Sequence, residues 1–326
     1  MAFPPHVVED CMGLLQLFSD GSIFRSQDIQ FPQPSSTNHH HHLVTFKDYI
    51  YHKKFNLHLR VYRPNTNTNN KKLPVVMFFH GGGFCFGSRA WPHIQDCCVR
   101  LAWALNAIIV APDYRLAPEH RLPAAVDDGV EALRWLQRQG LGDHGGDDLW
   151  VTQDVDFDRV FVVGDSSGGN IAHHMAVQLG SGSKEMGPVR VRGYVLLGPF
   201  FGGVIRTKSE EGPPEQMLTL EMLDRLWRLS TPIGETRDHP LANPFGACSP
   251  NLGDVKLDPI LVIVGQNELL KDRAFDYVTR LRELGKNTEY VEFKGKEHGF
   301  FTYDSHSQVA EEVLQILKRF MLQNSN

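Results

Sequence analysis

Val160-Phe161-Val162-Val163-Gly164-Asp165-Ser166-Ser167-Gly168-Gly169-Asn170 runs from four apolar residues, through a tight Gly-Asp-Ser-Ser-Gly turn, into a helical pattern that continues to Leu179. Apolar residues without alternation suit a parallel strand covered on both faces. A Gly-x-Ser-x-Gly turn between a strand and a helix lifts the central serine hydroxyl above the sheet. The flanking glycines answer a strained backbone and close packing of its neighbours. The free N–H groups and positive dipole end of the helix then face any oxygen that gains negative charge. Gly and Ser are common, so the letters alone also fit an ordinary glycine-rich turn. The strand before and the helix after make Ser166 the candidate nucleophile. Ser167, the next hydroxyl along, is assigned a backbone role.

The same strand-then-helix rhythm extends outward. Short apolar runs recur at Val75–Phe79, Ala107–Val110, Tyr194–Leu197 and Ile260–Val264, with helical patterns at Trp91–Leu105 and Ala124–Gln139 between them. Such alternation predicts a doubly wound α/β sheet. Ahead of it, Val44–Tyr51 and Asn56–Arg63 alternate apolar and polar residues around Lys53-Lys54, as in a hairpin. The sheet is therefore expected to be mixed. Thr288–Phe293 reads as the last strand and Ser307–Leu322 as a terminal helix. From Phe201 to Pro250 the rhythm breaks into glycines, prolines and one helical piece, Leu220–Leu229. That stretch is read as an insertion. With a short amphipathic helix expected over Val7–Leu17, it would form a cap on a single domain of 326 residues, built from about 1–30 and about 201–250.

A second glycine motif, His80-Gly81-Gly82-Gly83-Phe84, follows the run Val75–Phe79. Successive glycines let N–H groups converge on one oxygen. Gly82 and Gly83, with the N–H of Ser167 and Gly81 as a further candidate, form the expected oxyanion hole. A phosphate-cradling loop is the competing reading, but neither a Gly-Lys-Ser/Thr ending nor Gly-x-Gly-x-x-Gly is present. In the chain order serine, acid, histidine, the base is His298, in the loop after Thr288–Phe293. The acid belongs after Ile260–Val264. Glu268 takes the loop position, and Asp272, about one helical turn later, is the alternative.

Composition narrows the remaining classes. A net charge of −5 and a pI near 6.3 give no nucleic-acid footprint. No apolar run approaches the roughly 18–20 residues that cross a bilayer. The first residues lack the basic start and continuous apolar stretch of a secretory leader. Five scattered cysteines, an odd number, read as reduced thiols, so a cytoplasmic location is expected, with the nucleus as an additional one. His39 to His42 lie in a loop of polar residues and read as solvated, because no Cys or carboxylate joins them at metal-ligand spacing. No metal site is expected.

Together these motifs carry a family resemblance. His80-Gly81-Gly82-Gly83-Phe84, Asp113-Tyr114-Arg115-Leu116-Ala117-Pro118-Glu119-His120, Leu122-Pro123-Ala124-Ala125, Gly164-Asp165-Ser166-Ser167-Gly168-Gly169-Asn170 and His298-Gly299-Phe300 are in expected order over nearly the whole chain. The chain resembles the plant carboxylesterases of the hormone-sensitive-lipase group, within the α/β-hydrolase fold. Cys11 to Arg25 also resembles their N-terminal cap segment. The resemblance implies hydrolysis of small-molecule esters of modest acyl length without a cofactor, including hormone-related and lactone-bearing esters such as strigolactones. Gibberellin receptors belong to the same group but lack the catalytic histidine, so a hormone receptor with little turnover is the alternative function. Where the family's acid is usually Asp, this chain has Glu268, one methylene longer. A monomer or weak dimer is expected. Phe84, Phe86, Phe200 and Phe300 are candidates for an apolar pocket. Activity should fall as pH drops through the histidine pKa, near 6.5 if unperturbed.

Overall fold

The structure is a computed structural model; it describes residues 4–26, 41–65, 72–142, 149–181, 184–216 and 218–325. His39 and His40, and most of the polar stretch Asn65–Lys72, lie outside the described residues. The chain opens with three short strands, β1 (Val7–Cys11), β2 (Leu15–Phe18) and β3 (Ile23–Arg25), in one antiparallel sheet. Here the sequence reading is corrected: Val7–Leu17 is a hairpin, not a helix. Met12 and Gly13 both adopt positive φ, 55° and 68°, and Leu14 N–H closes the turn on the Cys11 carbonyl at 2.9 Å. Two successive left-handed residues are a hairpin turn geometry that no helix contains. Gly13 carried that signal, and the helical spacing of the apolar residues hid it.

The main sheet has eight strands: β4 (Val44–His52), β5 (Leu57–Pro64), β6 (Leu73–Phe79), β7 (Ile108–Pro112), β8 (Val155–Asp165), β9 (Val191–Leu197), β10 (Ile260–Gly265) and β11 (Thr288–Phe293). Their spatial order is β11-β10-β9-β8-β6-β7-β5-β4. Only β5 runs against its neighbours; from β7 to β11 every pairing is parallel. The expected mixed sheet with an antiparallel start is therefore present.

Among the described residues, eight α-helices accompany the strands: α1 (Pro92–Leu105), α2 (Ala124–Gly140), α3 (Leu149–Thr152), α4 (Ser167–Leu179), α5 (Leu220–Ser230), α6 (Lys271–Glu283), α7 (Phe300–Tyr303) and α8 (Gln308–Gln323). They split between the faces. In β6, Val75, Met77 and Phe79 join the core shared with α2, α4 and α6, while Val76 and Phe78 join the core shared with α1 and α8. β10 divides its residues in the same way. This two-sided burial is why the strands read as unbroken apolar runs. Local signals set the helix ends. Pro92 starts α1 and left-handed Asn106 stops it, while Thr219 and Ser307 accept N–H groups at the starts of α5 and α8. Among the described residues, no helix is long and apolar enough to cross a membrane.

The N-terminal sheet rests on α5 through charge and hydrogen bonds. Arg228 grips Glu9 at 2.5 and 3.0 Å, and Arg225 reaches Glu9 at 3.2 Å. From β3, Arg25 donates to the Cys85 carbonyl at 2.6 Å and forms a bidentate pair with Glu119 at 2.7 and 2.6 Å. Arg–carboxylate forks of this kind fix orientation as well as distance. One of these pieces precedes the sheet and the other lies between β9 and β10, yet they meet over the ends of the central strands.

Candidate active site

Ser166 sits between the end of β8 and the start of α4 with φ 53° and ψ −113°. A non-glycine residue held there stores strain of about 1–3 kcal/mol, which the surroundings must impose. They do so with hydrogen bonds: Ser166 N–H donates to the Leu197 carbonyl at 2.8 Å, and its own carbonyl accepts from Phe200 N–H at 2.9 Å. The motif glycines are required by space. A Cβ on Gly164 would lie 2.0 Å from the Gly168 carbonyl oxygen, and one on Gly168 would lie 2.1 Å from that of Phe79. The turn therefore folds as tightly as the sequence implied.

The glycine loop leaves β6, which pairs directly with β8, so Gly81 to Gly83 run beside Ser166. A Cβ on Gly81 would meet Ser166 Cβ at 3.1 Å. Gly82 has φ 116°, and a side chain there would strike the Phe86 carbonyl at 2.4 Å. Among the described residues, the N–H groups of Gly82, Gly83 and Ser167 donate to no carbonyl of the turns and loops. Tyr114 holds this corner together. Its hydroxyl donates to the His80 carbonyl at 2.9 Å and lies 3.2 Å from Ser167 Oγ, while its ring stacks on His80 at 4.3 Å. Arg115, next in the same motif, makes a bidentate pair with buried Asp128, Nε donating to Oδ2 at 2.9 Å and Nη2 to Oδ1 at 2.8 Å. The Asp113–His120 motif thus acts as scaffold behind the loop.

At the same C-terminal end of the parallel strands, Glu268 follows β10 and His298 follows β11. Their side chains meet: His298 Nδ1 lies 3.3 Å from Glu268 Oε2. Asp272 points elsewhere, accepting the Ser209 N–H at 2.8 Å from the start of α6. Gly198, at the end of β9, lies against this pair. With φ 46°, its missing Cβ would fall 2.9 Å from His298 Nδ1 and 3.0 Å from Glu268 Oε2. No sequence motif marks Gly198; its need arises from two loops distant in sequence.

Electrostatics at His298 are dominated by carboxylates. Burial works against its charged form, but Glu268, Asp165 and Glu215 together outweigh it and raise the pKa above the ordinary value. Asp165, buried beside Ser166, is raised to about 6 by burial, with the charge of His298 opposing and Glu268 reinforcing. His93 is driven the other way, to about 4, by burial and by nearby His80.

Ser166, His298, Asp165 and the three glycines line one cavity of about 260 Å³. Its other walls are mostly apolar. Met12 and Leu14 come from the N-terminal hairpin, and Leu218, Met222 and Leu226 from the insertion. Phe86 and Phe200 line it as the sequence suggested. Phe84 and Phe300 do not. Phe84 packs behind the wall, 6.0 Å from the rings of Phe200 and Trp227, and Phe300 packs on Phe293 at 5.3 Å in the opposite core. Trp91, His93, Ile94 and Tyr303 line the cavity and were not foreseen. Trp91, His93 and Ile94 belong to a helical pattern that signalled only core, and Tyr303 lies in a short helix, α7, that the sequence did not mark.

Comparison with known proteins agrees with this arrangement. The family model described as alpha/beta hydrolase fold matches residues 76–302. A 3-O-acetylpapaveroxine carboxylesterase of Papaver somniferum is 37% identical over 81% of this chain and 84% of its own. The gibberellin receptor of Oryza sativa subsp. japonica is 37% identical over 75% of this chain and 67% of its own. Among solved structures, an esterase of Pyrobaculum calidifontis superposes with a TM-score of 0.70 at 30% identity, covering 85% of this chain and 84% of that one. The chain belongs to the α/β-hydrolase fold family and, within it, to the plant carboxylesterases of the hormone-sensitive-lipase type, which makes it a carboxylic ester hydrolase.

Proposed function

We propose that Ser166, His298 and Glu268 are the catalytic triad of this esterase, and that its substrates are small to medium uncharged esters with an apolar acyl or alcohol group. The observation that carries the proposal is the shared cavity. Ser166 and His298 line it, Glu268 lies behind His298, and the rest of the wall is mainly hydrocarbon. Glu268 accepts the Nδ1 proton of His298, which leaves Nε2 as the base toward the cavity. Ser166 Oγ attacks the ester carbonyl as its proton passes to Nε2. The carbonyl oxygen becomes an oxyanion held by the N–H groups of Gly82, Gly83 and Ser167, with Gly81 next to them. The imidazolium then protonates the departing alkoxide as the acyl-enzyme forms. His298 next takes a proton from water, the hydroxide attacks the acyl carbonyl, and Ser166 leaves with that proton. Each oxyanion donor is worth about 3 kcal/mol of transition-state stabilisation.

The N-terminal sheet and residues 201–250 act together as the cap, since both supply apolar side chains to the cavity roof. The carboxylates around His298 disfavour anionic substrates by like-charge repulsion. All five cysteines are free thiols, which supports a cytoplasmic location. A second reading, a hormone receptor with little turnover, draws support from the 37% identity to the rice gibberellin receptor. Hydrolysis of p-nitrophenyl acetate and butyrate by the parent and by Ser166→Ala separates the two. The esterase reading expects turnover that falls by about 10³-fold or more in the variant. Equal rates in both proteins would remove Ser166 from the mechanism, and no turnover in either would leave the receptor reading.

A further inference from the structure

A third carboxylate stands where the acid and base loops meet, and it belongs to neither. Glu215 lies between β9 and α5 and is only 5% exposed. Its Oε1 accepts the N–H of Leu269 at 2.6 Å, and its Oε2 accepts the N–H of His298 at 2.6 Å. Leu269 directly follows Glu268. Glu215 therefore holds the residue after the acid with one oxygen and the backbone of the base with the other. Two accepted N–H groups, one per oxygen, favour the ionised form. The segment around it is tied to the same loops. Ser209 Oγ donates to the Leu269 carbonyl at 2.7 Å, and Gln216 N–H donates to Glu297 at 3.2 Å.

We infer that Glu215 is a positioning residue for ester hydrolysis, bridging the two loops so that His298 stays in register with Glu268, and adding its negative charge to the face that stabilises the imidazolium. This rests on the triad reading above. Three charged groups face His298: Asp165 from the end of β8, Glu268 from the loop after β10, and Glu215 from the insertion. Facing Glu215 are His298 and Glu268; burial raises its pKa, and His298 with the two N–H donors opposes that. The insertion that roofs the cavity thus also completes the catalytic floor. A substitution at Glu215 should disturb chemistry more than substrate binding, because Glu215 is absent from the cavity wall.

The test compares Glu215→Gln, Glu215→Asp and Glu215→Ala on p-nitrophenyl butyrate, with active sites counted by the initial burst. Glu215→Gln keeps the shape and one acceptor oxygen but removes the charge. It should lower kcat about tenfold with KM within about twofold, and move the acid limb of kcat/KM to lower pH. Glu215→Asp should keep the limb near that of the parent and recover part of kcat. Glu215→Ala should lose about a hundredfold. A Glu215→Gln enzyme with the parent's kcat and limb would overturn the inference. So would a loss wholly explained by fewer active sites with the limb unmoved, since that describes a structural residue alone. If the parent shows no turnover dependent on Ser166, it is the triad reading that fails. Glu215 remains testable then by NMR titration of the His298 ring: a lower pKa in Glu215→Gln supports its charge coupling, and an unchanged one refutes it.

Discussion

Ser166 and its glycine loop leave the sheet from β8 and β6, two strands paired from Val75 to Phe79 against Val160 to Gly164. Glu268 and His298 leave it from β10 and β11, paired from Ile260 to Gly265 against Thr288 to Phe293. Both halves thus ride on adjacent parallel strands, yet they are held differently. In the first half, the glycines that shape the turn and the loop lie within two short motifs, and the contacts from outside come from the adjoining strands. Gly164 and Gly168 close on each other, Ser167 begins the helix that Ser166 opens, and Tyr114 braces the corner from one strand away. In the second half, the side chains meet where Gly198 leaves room beneath them, and Glu215, from a remote insertion, accepts an N–H group from each loop. The Ser166 half is built into the sheet; the Glu268–His298 half is assembled across it.

The sharpest way to break this comparison is to remove the base. His298→Ala should lose about 10³-fold or more in kcat, and combining it with Ser166→Ala should add little, because residues acting as one unit are not additive. Independent losses that multiply would mean the two halves do not cooperate. Next in size is the sheet-borne half. Gly82→Ala forces a side chain into positive φ against the Phe86 carbonyl, and kcat should fall about 10²-fold through a displaced oxyanion donor. Kinetics on burst-titrated enzyme check this, and an unchanged kcat would remove Gly82 from the oxyanion site.

A smaller but directional effect concerns pH. In the proposed mechanism His298 works only when neutral, and the surrounding carboxylates raise its pKa, so kcat/KM should rise with pH through a limb above 6.5. A pH–rate profile decides it; a limb at or below 6.5 would mean the carboxylates do not act on His298 as the geometry indicates. This shifts the value anticipated from the sequence, which assumed an unperturbed ring. The smallest effect belongs to Asp272. Its carboxylate accepts from Ser209 and not from His298, so Asp272→Asn should change kcat by less than about threefold. A loss comparable to that of Glu268→Gln would reinstate it as the acid.

The same contrast governs how much the chain reveals on inspection. The elbow and the glycine loop are contiguous, and their backbone demands select glycines at fixed spacing, so Ser166 and Gly81 to Gly83 can be named directly. His298 and Glu268 are found only through chain order and the strands that precede them. Glu215 and Gly198 leave no local trace, because what each satisfies lies tens of residues away in sequence. Phe84 and Phe300 show the limit from the other side. Both sit next to motif residues, yet side-chain direction sends one behind the wall and the other into the opposite core. At the N-terminus, apolar spacing mimicked a helix, while Gly13 and the positive φ of Met12 made a hairpin whose tip roofs the cavity.

The central claim, that Ser166 is acylated during turnover, is tested most directly by trapping the intermediate. Acid quenching of the enzyme with p-nitrophenyl butyrate during the burst, followed by peptide mass mapping, should find one butyryl group on the peptide containing Ser166, and none in Ser166→Ala. A butyryl group on another residue, or an unmodified Ser166 peptide in an enzyme that turns over at full rate, would contradict the account.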